Sequence, residues 1–408
     1  MWIFYGFAVL VISQGISSLR GGFRFLAYVR EELLRAPSSF TPTVSIIAPC
    51  RGLDQGLVDN LRALFQLDYP QYEIVFVTDS ADDPALSVIE DLRDQFNRAA
   101  NVSTYTVIAG ATEHRGQKVH NLLAGLQNVN DASEVLVFVD SDARPEANWL
   151  RALVAPLADL EVGAATGYRW FLPEHGGLSS HIRSLWNASI ASALGANRKK
   201  NFCWGGATAI RREVFKKLEI TKKWDGALSD DFALTRALQS AGRPIHFVPQ
   251  CLTVSGEDCG FGEMLEFTTR QLKITRVYAP HLWKAVMFGS IFFCSVFFGG
   301  MALTIRSGVT GGTFIPALVL LGLMFLLGAG KSYLRLRAVA LALPDHRRQV
   351  GRGALVHLTL WPLTSAIYIY NSLCAAASRR IIWRGITYEL KSPAQTVIIR
   401  PDEKHRAE

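Results

Sequence analysis

The apolar residues of this chain are unevenly placed, and that distribution constrains its fold more than any other feature. They concentrate at residues 1–19 and again after residue 285, with a mixed, domain-like stretch between. A run of about 20 apolar residues is what an α-helix needs to cross a bilayer. The ends of the chain are therefore expected to meet lipid, and the middle to meet water. Met1 to Leu19 is almost wholly apolar and is followed by Arg20, Arg24 and Arg30. A cleaved signal peptide would carry its charge before the apolar core, so this is expected to be a signal anchor with the N-terminus outside. Leu282 to Ile305 is a second candidate span and Phe314 to Gly330 a third, followed by a basic loop with Lys331, Arg335, Arg337, Arg347, Arg348 and Arg352. Ala354 to Ala377 is a fourth, interrupted by Pro362 and followed by Arg379, Arg380 and Arg384. Four crossings would leave that basic end outside, against the positive-inside rule. Either the last segment is re-entrant or interfacial, or a stretch near 331–345 changes the parity. The expected organisation is an anchor over 1–28, a domain over 43–280, a membrane region over 281–378 and a basic cytoplasmic tail over 379–408.

Composition agrees with such a division. Hydrophobic residues make up 49% of the 408 and charged residues only 19%, which leans away from an ordinary soluble protein. The net charge is +8, and the basic residues cluster beside apolar segments, as expected for contact with anionic headgroups of a lipid bilayer. A nucleic-acid partner would require a basic face interleaved with base-stacking aromatics, and the sequence has none. The six cysteines include no CxxC pair, which excludes a zinc or disulfide framework of the usual spacing and fits a reducing compartment.

From Thr43 to about Thr275, short apolar strands alternate with helical stretches. Strands are expected at Val44–Ala48, Glu73–Thr78, Val102–Ala109 and Val135–Val139, and helices at Leu57–Phe65, Ala85–Phe96 and Lys118–Leu126. This alternation predicts an α/β, Rossmann-like domain with a mostly parallel sheet and helices on both faces. Ligands in such sheets sit beyond the carboxyl ends of the strands, where the acidic clusters of this half fall.

Asp79, Asp82 and Asp83 follow the second strand. They could accept hydrogen bonds from a nucleobase or ribose, or form a solvated turn capping the next helix. Asp140-Ser141-Asp142 directly follows the buried strand Val135–Val139. Two carboxylates at this spacing can share a hard cation, Mg²⁺ or Mn²⁺, which in turn neutralises a diphosphate; a helix N-cap is the alternative. Ser229-Asp230-Asp231 precedes a helix expected over Ala233–Ser240 and suits either an N-cap or a general base for an attacking hydroxyl. Lys118 could pair with a phosphate and Asn121 with sugar or nucleotide hydroxyls, unless both belong to a plain amphipathic helix. Trp204-Gly205-Gly206 offers an aromatic platform with close backbone approach, or a tight turn between strands.

Together and in this order these residues resemble the family 2 glycosyltransferases of the processive type, with a GT-A fold, and within them the ceramide glucosyltransferase group and its bacterial relatives. Arg51-Gly52-Leu53-Asp54, Asn60-Leu61, Leu67-Asp68-Tyr69-Pro70 and Asp82-Asp83-Pro84 carry much of the likeness. Lys118, Asn121, Asp140-Ser141-Asp142 and Asp230-Asp231 follow at family-like spacing. The resemblance spans roughly residues 43–280. It implies a nucleotide contact at Asp79 or Asp82-Asp83 and a diphosphate and metal site at Asp140 and Asp142. It makes Asp231 the general base with Asp230 its acidic neighbour, where the family commonly has Glu-Asp. A larger departure falls at the (Q/R)xxRW motif, which in the family binds the donor diphosphate. Here Arg270, Lys273 and Arg276 supply cations, but neither register supplies the tryptophan.

The resemblance further implies an inverting, single-displacement transfer from a UDP-sugar donor, UDP-glucose first, to a membrane lipid acceptor such as ceramide, a hopanoid or a diacylglycerol. It implies a multi-pass protein of a bacterial inner membrane with its catalytic domain cytoplasmic. A processive polysaccharide synthase would want more membrane helices and an intact QxxRW. A silent membrane scaffold would have no use for every acidic cluster.

Overall fold

The computed structural model describes residues 2–97 and 101–399; Met1 of the expected anchor and residues 400–408 of the expected tail lie outside the described residues. The chain divides into two compact units. One comprises the chain up to Glu31, Phe171–Ala193 and Gly256–Ser378; the other comprises Glu32–Trp170, Leu194–Ser255 and the chain from Arg379.

The second unit is built on a seven-stranded sheet. Its strands are β1 (Val44–Pro49), β2 (Tyr72–Thr78), β3 (Val102–Ile108), β4 (Val135–Phe138), β5 (Ala164–Phe171), β6 (Thr208–Arg211) and β7 (Ile245–Ser255), in the order β3-β2-β1-β4-β6-β5-β7. β1 pairs parallel with β2 and β4, and β2 parallel with β3. β6 runs antiparallel to both β4 and β5. β1, β2 and β4 are buried at every position, as strands covered on both faces must be, and so they appear in the sequence as continuous apolar runs. β3, at the sheet edge, alternates. The order reverses between β1 and β4, where two diverging connections open a crevice at the strand ends. This is the mostly parallel, GT-A type of α/β sheet that the sequence predicts, and its elements from β1 to β4 fall within a residue or two of expectation.

Past residue 378, where no strands are expected, the described chain forms a second sheet of three antiparallel strands: β8 (Arg380–Trp383), β9 (Ile386–Ser392) and β10 (Gln395–Ile399). Ile381, Tyr388 and Leu390 are buried. The two residues joining β8 to β9, Arg384 and Gly385, both have positive φ (48° and 76°), the signature of the type I′ turn whose twist matches a two-stranded ribbon. The segment is thus a folded part of this unit rather than a tail.

In the first unit, three helices are long and apolar enough to cross a membrane: Trp2–Leu33, Pro280–Val309 and Ile315–Ala342. Phe4, Ala8 and Val11 pack with Val296, Phe297, Ala317, Leu321 and Met324. The first and second helices come so close that a Cβ on Gly300 would stand 2.3 Å from the Phe4 ring, the small-residue contact by which apolar helices associate in lipid. Many large apolar side chains of these helices stay exposed, among them Ile3, Val9, Phe288, Ile305, Val319 and Leu326, as lipid contact requires.

Two expectations are corrected here. Lys331, Arg335 and Arg337 lie on the third long helix, not in a loop. The fourth candidate span is broken into Ala354–Thr359 and Trp361–Ala377. Pro362 in the first turn of the second piece has no N–H to continue the first helix. The longer piece has 17 residues, fewer than the roughly 20 that a crossing helix usually takes.

Candidate functional site

Asp140 and Asp142 leave the sheet at the carboxyl end of β4. Their side chains are 18% and 19% exposed, and each faces a cation. Lys118, in the first turn of the Gln117–Leu126 helix, places Nζ 2.6 Å from Asp140 Oδ1 and 3.2 Å from Asp230 Oδ1. Arg169, on β5, places Nη1 2.8 Å from Asp142 Oδ2 and Nη2 3.8 Å from Asp140 Oδ2. Its guanidinium also lies over the Trp204 ring, 5.1 Å from the centroid, a cation–π placement that holds it against the carboxylates.

The turn Trp204–Ala207 ahead of β6 closes this cluster. A Cβ on Gly205 would meet Lys118 Nζ at 2.4 Å and Asp230 Oδ2 at 2.5 Å; one on Gly206 would meet the Trp204 ring at 2.2 Å. Neither glycine has a positive φ. Close approach to the ion pair and to the ring, rather than turn conformation, demands their lack of a side chain. Trp204 itself is buried, its ring 5.6 Å from that of Tyr168.

Asp230 and Asp231 open the Asp230–Ser240 helix, with Ser229 as N-cap. The two differ sharply. Asp230 is buried against Lys118, and burial pushes its carboxyl up to about 6; Lys118 opposes this rise, while Asp231 and Asp140 add to it. Asp140 is also raised by burial, but Lys118 and Arg169 outweigh that and hold it below the ordinary carboxylate value. Asp231 is only partly buried. Its Oδ1 accepts from the Ser229 hydroxyl and, at 2.7 Å, from the Phe232 N–H; these bonds leave its Oδ2 for another partner.

At the end of β2, Asp79 faces Arg51 Nε at 3.3 Å, and burial raises its carboxyl, partly offset by Arg51. Asp83 takes the structural alternative: it caps the Pro84–Gln95 helix by accepting from the Ala85 N–H and also accepts from the Gly52 N–H, both at 2.9 Å. Asp82 is exposed, with its N–H on Ser80 Oγ. Asn121 is buried, its Oδ1 accepting from Gln117 Nε2 at 2.8 Å. Arg270, Lys273 and Arg276 lie on the Phe261–Tyr278 helix of the other unit. There Arg270 lies over Phe267, while Arg276 lies over Trp283 and donates to the Ala376 carbonyl at the end of the Trp361–Ala377 helix, a helix C-cap.

Four participants carry no role in the sequence analysis. Arg169 was signalled by a single charged residue within the otherwise apolar strand Ala164–Phe171. Asp54 accepts from the Ser141 hydroxyl at 3.0 Å, and Asn60 Nδ2 donates to the Ser141 carbonyl at 3.1 Å, so both hold the middle residue of the acidic tripeptide. Arg384, from the β8–β9 turn, pairs with Asp54 at 2.7 Å; X-Gly between two β-branched runs was its signal.

Mg²⁺ or Mn²⁺ fits these residues. Asp142 Oδ1 is buried and has no hydrogen-bond partner, an acceptor whose orphaning a hard cation would end. Among the described residues no three His, Cys, Asp or Glu side chains converge as a closed metal cage. Asp140 and Asp142 would therefore hold the ion with ligands left over for phosphate and water, the usual arrangement where Mg²⁺ accompanies a nucleotide.

Comparison with known proteins places this architecture. Ceramide glucosyltransferase 3 of Caenorhabditis elegans is 19% identical over 247 residues, 60% of this chain and 53% of the relative. Ceramide glucosyltransferase 1 of the same organism is 29% identical over 87 residues, 21% of this chain and 18% of the relative. The chain thus spans about half the length of the first relative and under a fifth of the second. A mannosyltransferase from Pyrobaculum calidifontis, solved in complex with GDP-Man and Mn²⁺, aligns with a TM-score of 0.48 and 18% identity, covering 92% of this chain and 98% of that one. The family described as Glycosyl transferase family 21 matches residues 10–396. With nearly the whole sequence inside that match, the chain belongs to glycosyl transferase family 21.

Proposed function

We propose that this protein is a membrane-bound inverting hexosyltransferase that moves a hexose from a UDP-hexose, UDP-glucose first, to the hydroxyl of a membrane lipid. The observation that carries the proposal is the pairing of Asp140 and Asp142 with Lys118 and Arg169 beside Asp230 and Asp231, at the crevice where the strand order reverses. Carboxylates for a cation, cations for phosphates and a further carboxylate for a proton are the parts that transfer from a nucleoside diphosphate sugar requires. The names of the two nematode relatives favour glucose and a lipid of the ceramide kind.

In this proposal Asp79 and Arg51 face the nucleoside end of the donor. A bound Mg²⁺ or Mn²⁺ would neutralise charge on the leaving diphosphate. Lys118 and Arg169 exchange their carboxylate partners for phosphate oxygens. Asp231, partly exposed, accepts the acceptor proton at Oδ2 as the lipid oxygen attacks the anomeric carbon. Asp230, buried on Lys118, fixes the ammonium and so the position of the diphosphate. Trp204 forms the wall behind Arg169.

The proposed catalytic unit comprises 32–170, 194–255 and 379–399, set on the cytoplasmic face by Arg20, Arg24 and Arg30. Because Arg384 binds Asp54 within that unit, the chain between must cross the membrane an even number of times. Pro280–Val309 and Ile315–Ala342 supply two crossings, and the broken segment 354–377 supplies none. This removes the parity conflict that four spans create.

Purified protein in lipid, given labelled UDP-glucose, Mn²⁺ or Mg²⁺ and a panel of lipid alcohols, should yield a metal-dependent glycolipid that Asp231→Asn abolishes. Long polymer in its place would support a polysaccharide synthase. Folded protein yielding neither product with any UDP-hexose would refute the proposal.

A further inference from the structure

We propose that the C-terminal hairpin is part of the donor site and that Arg384 is a diphosphate-binding residue, delivered to the crevice by the left-handed turn between β8 and β9. The inference rests on the transferase proposal above and deepens it.

The turn is shaped to present this side chain. Arg384 is one of only two non-glycine residues with positive φ among the described residues, a conformation that is unfavourable for a Cβ-bearing residue and that gathers at ligand sites. Its guanidinium is spread across two partners: Nη1 donates to the Arg51 carbonyl at 2.5 Å and Nη2 to Asp54 Oδ2 at 2.7 Å. That same Asp54 oxygen accepts from Ser141 Oγ at 3.0 Å. Arg384 therefore touches the loop after β1, one residue away from both acidic members of the tripeptide after β4, and its backbone contact is the residue whose own guanidinium faces Asp79. It lies between the expected nucleoside end and the expected diphosphate end. A third of its side chain, 36%, remains exposed, leaving N–H donors for an anion. A planar fork of such donors suits the two oxygens of a phosphate.

The hairpin that carries it is fixed to the same unit at two further points. The Tyr388 hydroxyl accepts from the Gln117 N–H, at 3.2 Å, at the start of the helix that presents Lys118. The β9–β10 turn approaches Gly226 so closely that a Cβ there would stand 2.2 Å from the Ala394 carbonyl oxygen. Tyr388 is buried. The turn is thus held from both sides, and a cation on a fixed turn loses little freedom on meeting its ligand. A merely structural latch would have no need of an exposed guanidinium.

The test is binding of UDP and of UMP, each with Mn²⁺, to the full-length protein in detergent, by titration calorimetry. Wild type should bind UDP. Arg384→Ala should weaken UDP binding about 10- to 100-fold, the usual worth of hydrogen bonds to a charged group, and weaken UMP binding distinctly less. Gly385→Val keeps the guanidinium and meets no atom within 4 Å at its Cβ, but it opposes the turn's φ of 76°; it should reproduce most of the alanine loss. Arg384→Lys, which keeps the charge and loses the fork, takes the place of the alanine variant if that one does not fold, and should still bind UDP more weakly than wild type. Unchanged UDP affinity in a folded Arg384 variant, or equal loss for UDP and UMP, would overturn the inference and leave the transferase proposal standing. Failure of wild type to bind UDP at all would instead bring down the transferase proposal and this inference with it.

Discussion

Lys118 Nζ stands 2.6 Å from Asp140 Oδ1, and the same ammonium reaches Asp230 Oδ1 at 3.2 Å. One cation thus ties the acidic tripeptide after β4 to the start of the Asp230–Ser240 helix. Burial alone would lower the basicity of Lys118, but Asp140, Asp230 and Asp231 raise it well above that of a free lysine, so it stays charged at any working pH.

Replacing Lys118 with Met leaves two poorly solvated carboxylates without their cation. Removing one partner of such a group typically costs about 3–5 kcal/mol, and loss of a preorganised charge at a reacting diphosphate costs roughly 100-fold or more in rate. Thermal melting of the purified variant and its kcat/KM for glycolipid formation should both fall; a variant that melts and turns over like wild type would rule out this role for Lys118.

Asp230 makes stability depend on pH in an unusual direction. Its carboxyl rises from an ordinary 3.8 to about 6 in the folded protein, so between about pH 4 and 6 the folded state holds a proton that the unfolded state has lost. The contribution of this group therefore favours folding at low pH and is lost as pH rises through 6. Asp230→Asn should lack this decline. The difference in melting temperature between wild type and variant, followed from pH 4 to 7, should shift against wild type as pH rises; a constant difference would contradict the assigned environment.

Gly205→Ala tests the closeness of the turn to the ion pair. Its Cβ would force Lys118 or Asp230 aside, since contacts of 2.4 and 2.5 Å do not occur. A displacement on the order of 1 Å at a reacting group can cost about 100-fold in rate. The expected result is a large fall in kcat with the protein still folded, measured beside Gly262→Ala, where a Cβ meets nothing within 4 Å.

Much of this was legible in the sequence, for identifiable reasons. β1, β2 and β4 are buried on both faces, so their sequences are uninterrupted apolar runs, and the acidic clusters mark where each meets solvent. The antiparallel half was not legible: β5 contains a glycine at which a Cβ would stand 2.2 Å from the Cys251 carbonyl oxygen and an arginine that pairs with Asp142, both of which disguise a strand. Arg384 was hidden by its distance along the chain from Asp54. The roles of Asp83 and Asp79 could not be separated by spacing either, because capping a helix and facing an arginine place similar demands on residue type.

The count of crossings is open to a direct check. Single cysteines at Thr310, between the second and third long helices, and at Asp345, beyond the third, in an otherwise cysteine-free protein should react with a membrane-impermeant maleimide from opposite faces of a vesicle. Lys391, on β9, should label from the same face as Asp345. Labelling of Lys391 from the face of Thr310 would show that the broken segment 354–377 crosses after all.

Asp142 is the residue at which the proposed metal site is most simply tested. Asp142→Asn deletes a charge and changes the donor at the orphaned position, and Mn²⁺ affinity in the presence of UDP should fall about 10-fold or more, read by electron paramagnetic resonance of free Mn²⁺. Unchanged affinity would move the metal elsewhere.

With Lys118 and Arg169 neutralising Asp140 and Asp142, the proposed site would behave as an ion exchanger loaded with its own counter-ions. A divalent cation arriving alone must displace two bound cations from their carboxylates, and a diphosphate arriving alone must pull those cations from the same carboxylates. Arriving together, the two simply trade partners, and every charge stays matched throughout. In the proposed mechanism metal and donor would thereby be coupled, each raising the affinity for the other by one and the same factor. A donor lacking its metal, or a metal lacking its donor, would have to break an existing ion pair before it could bind.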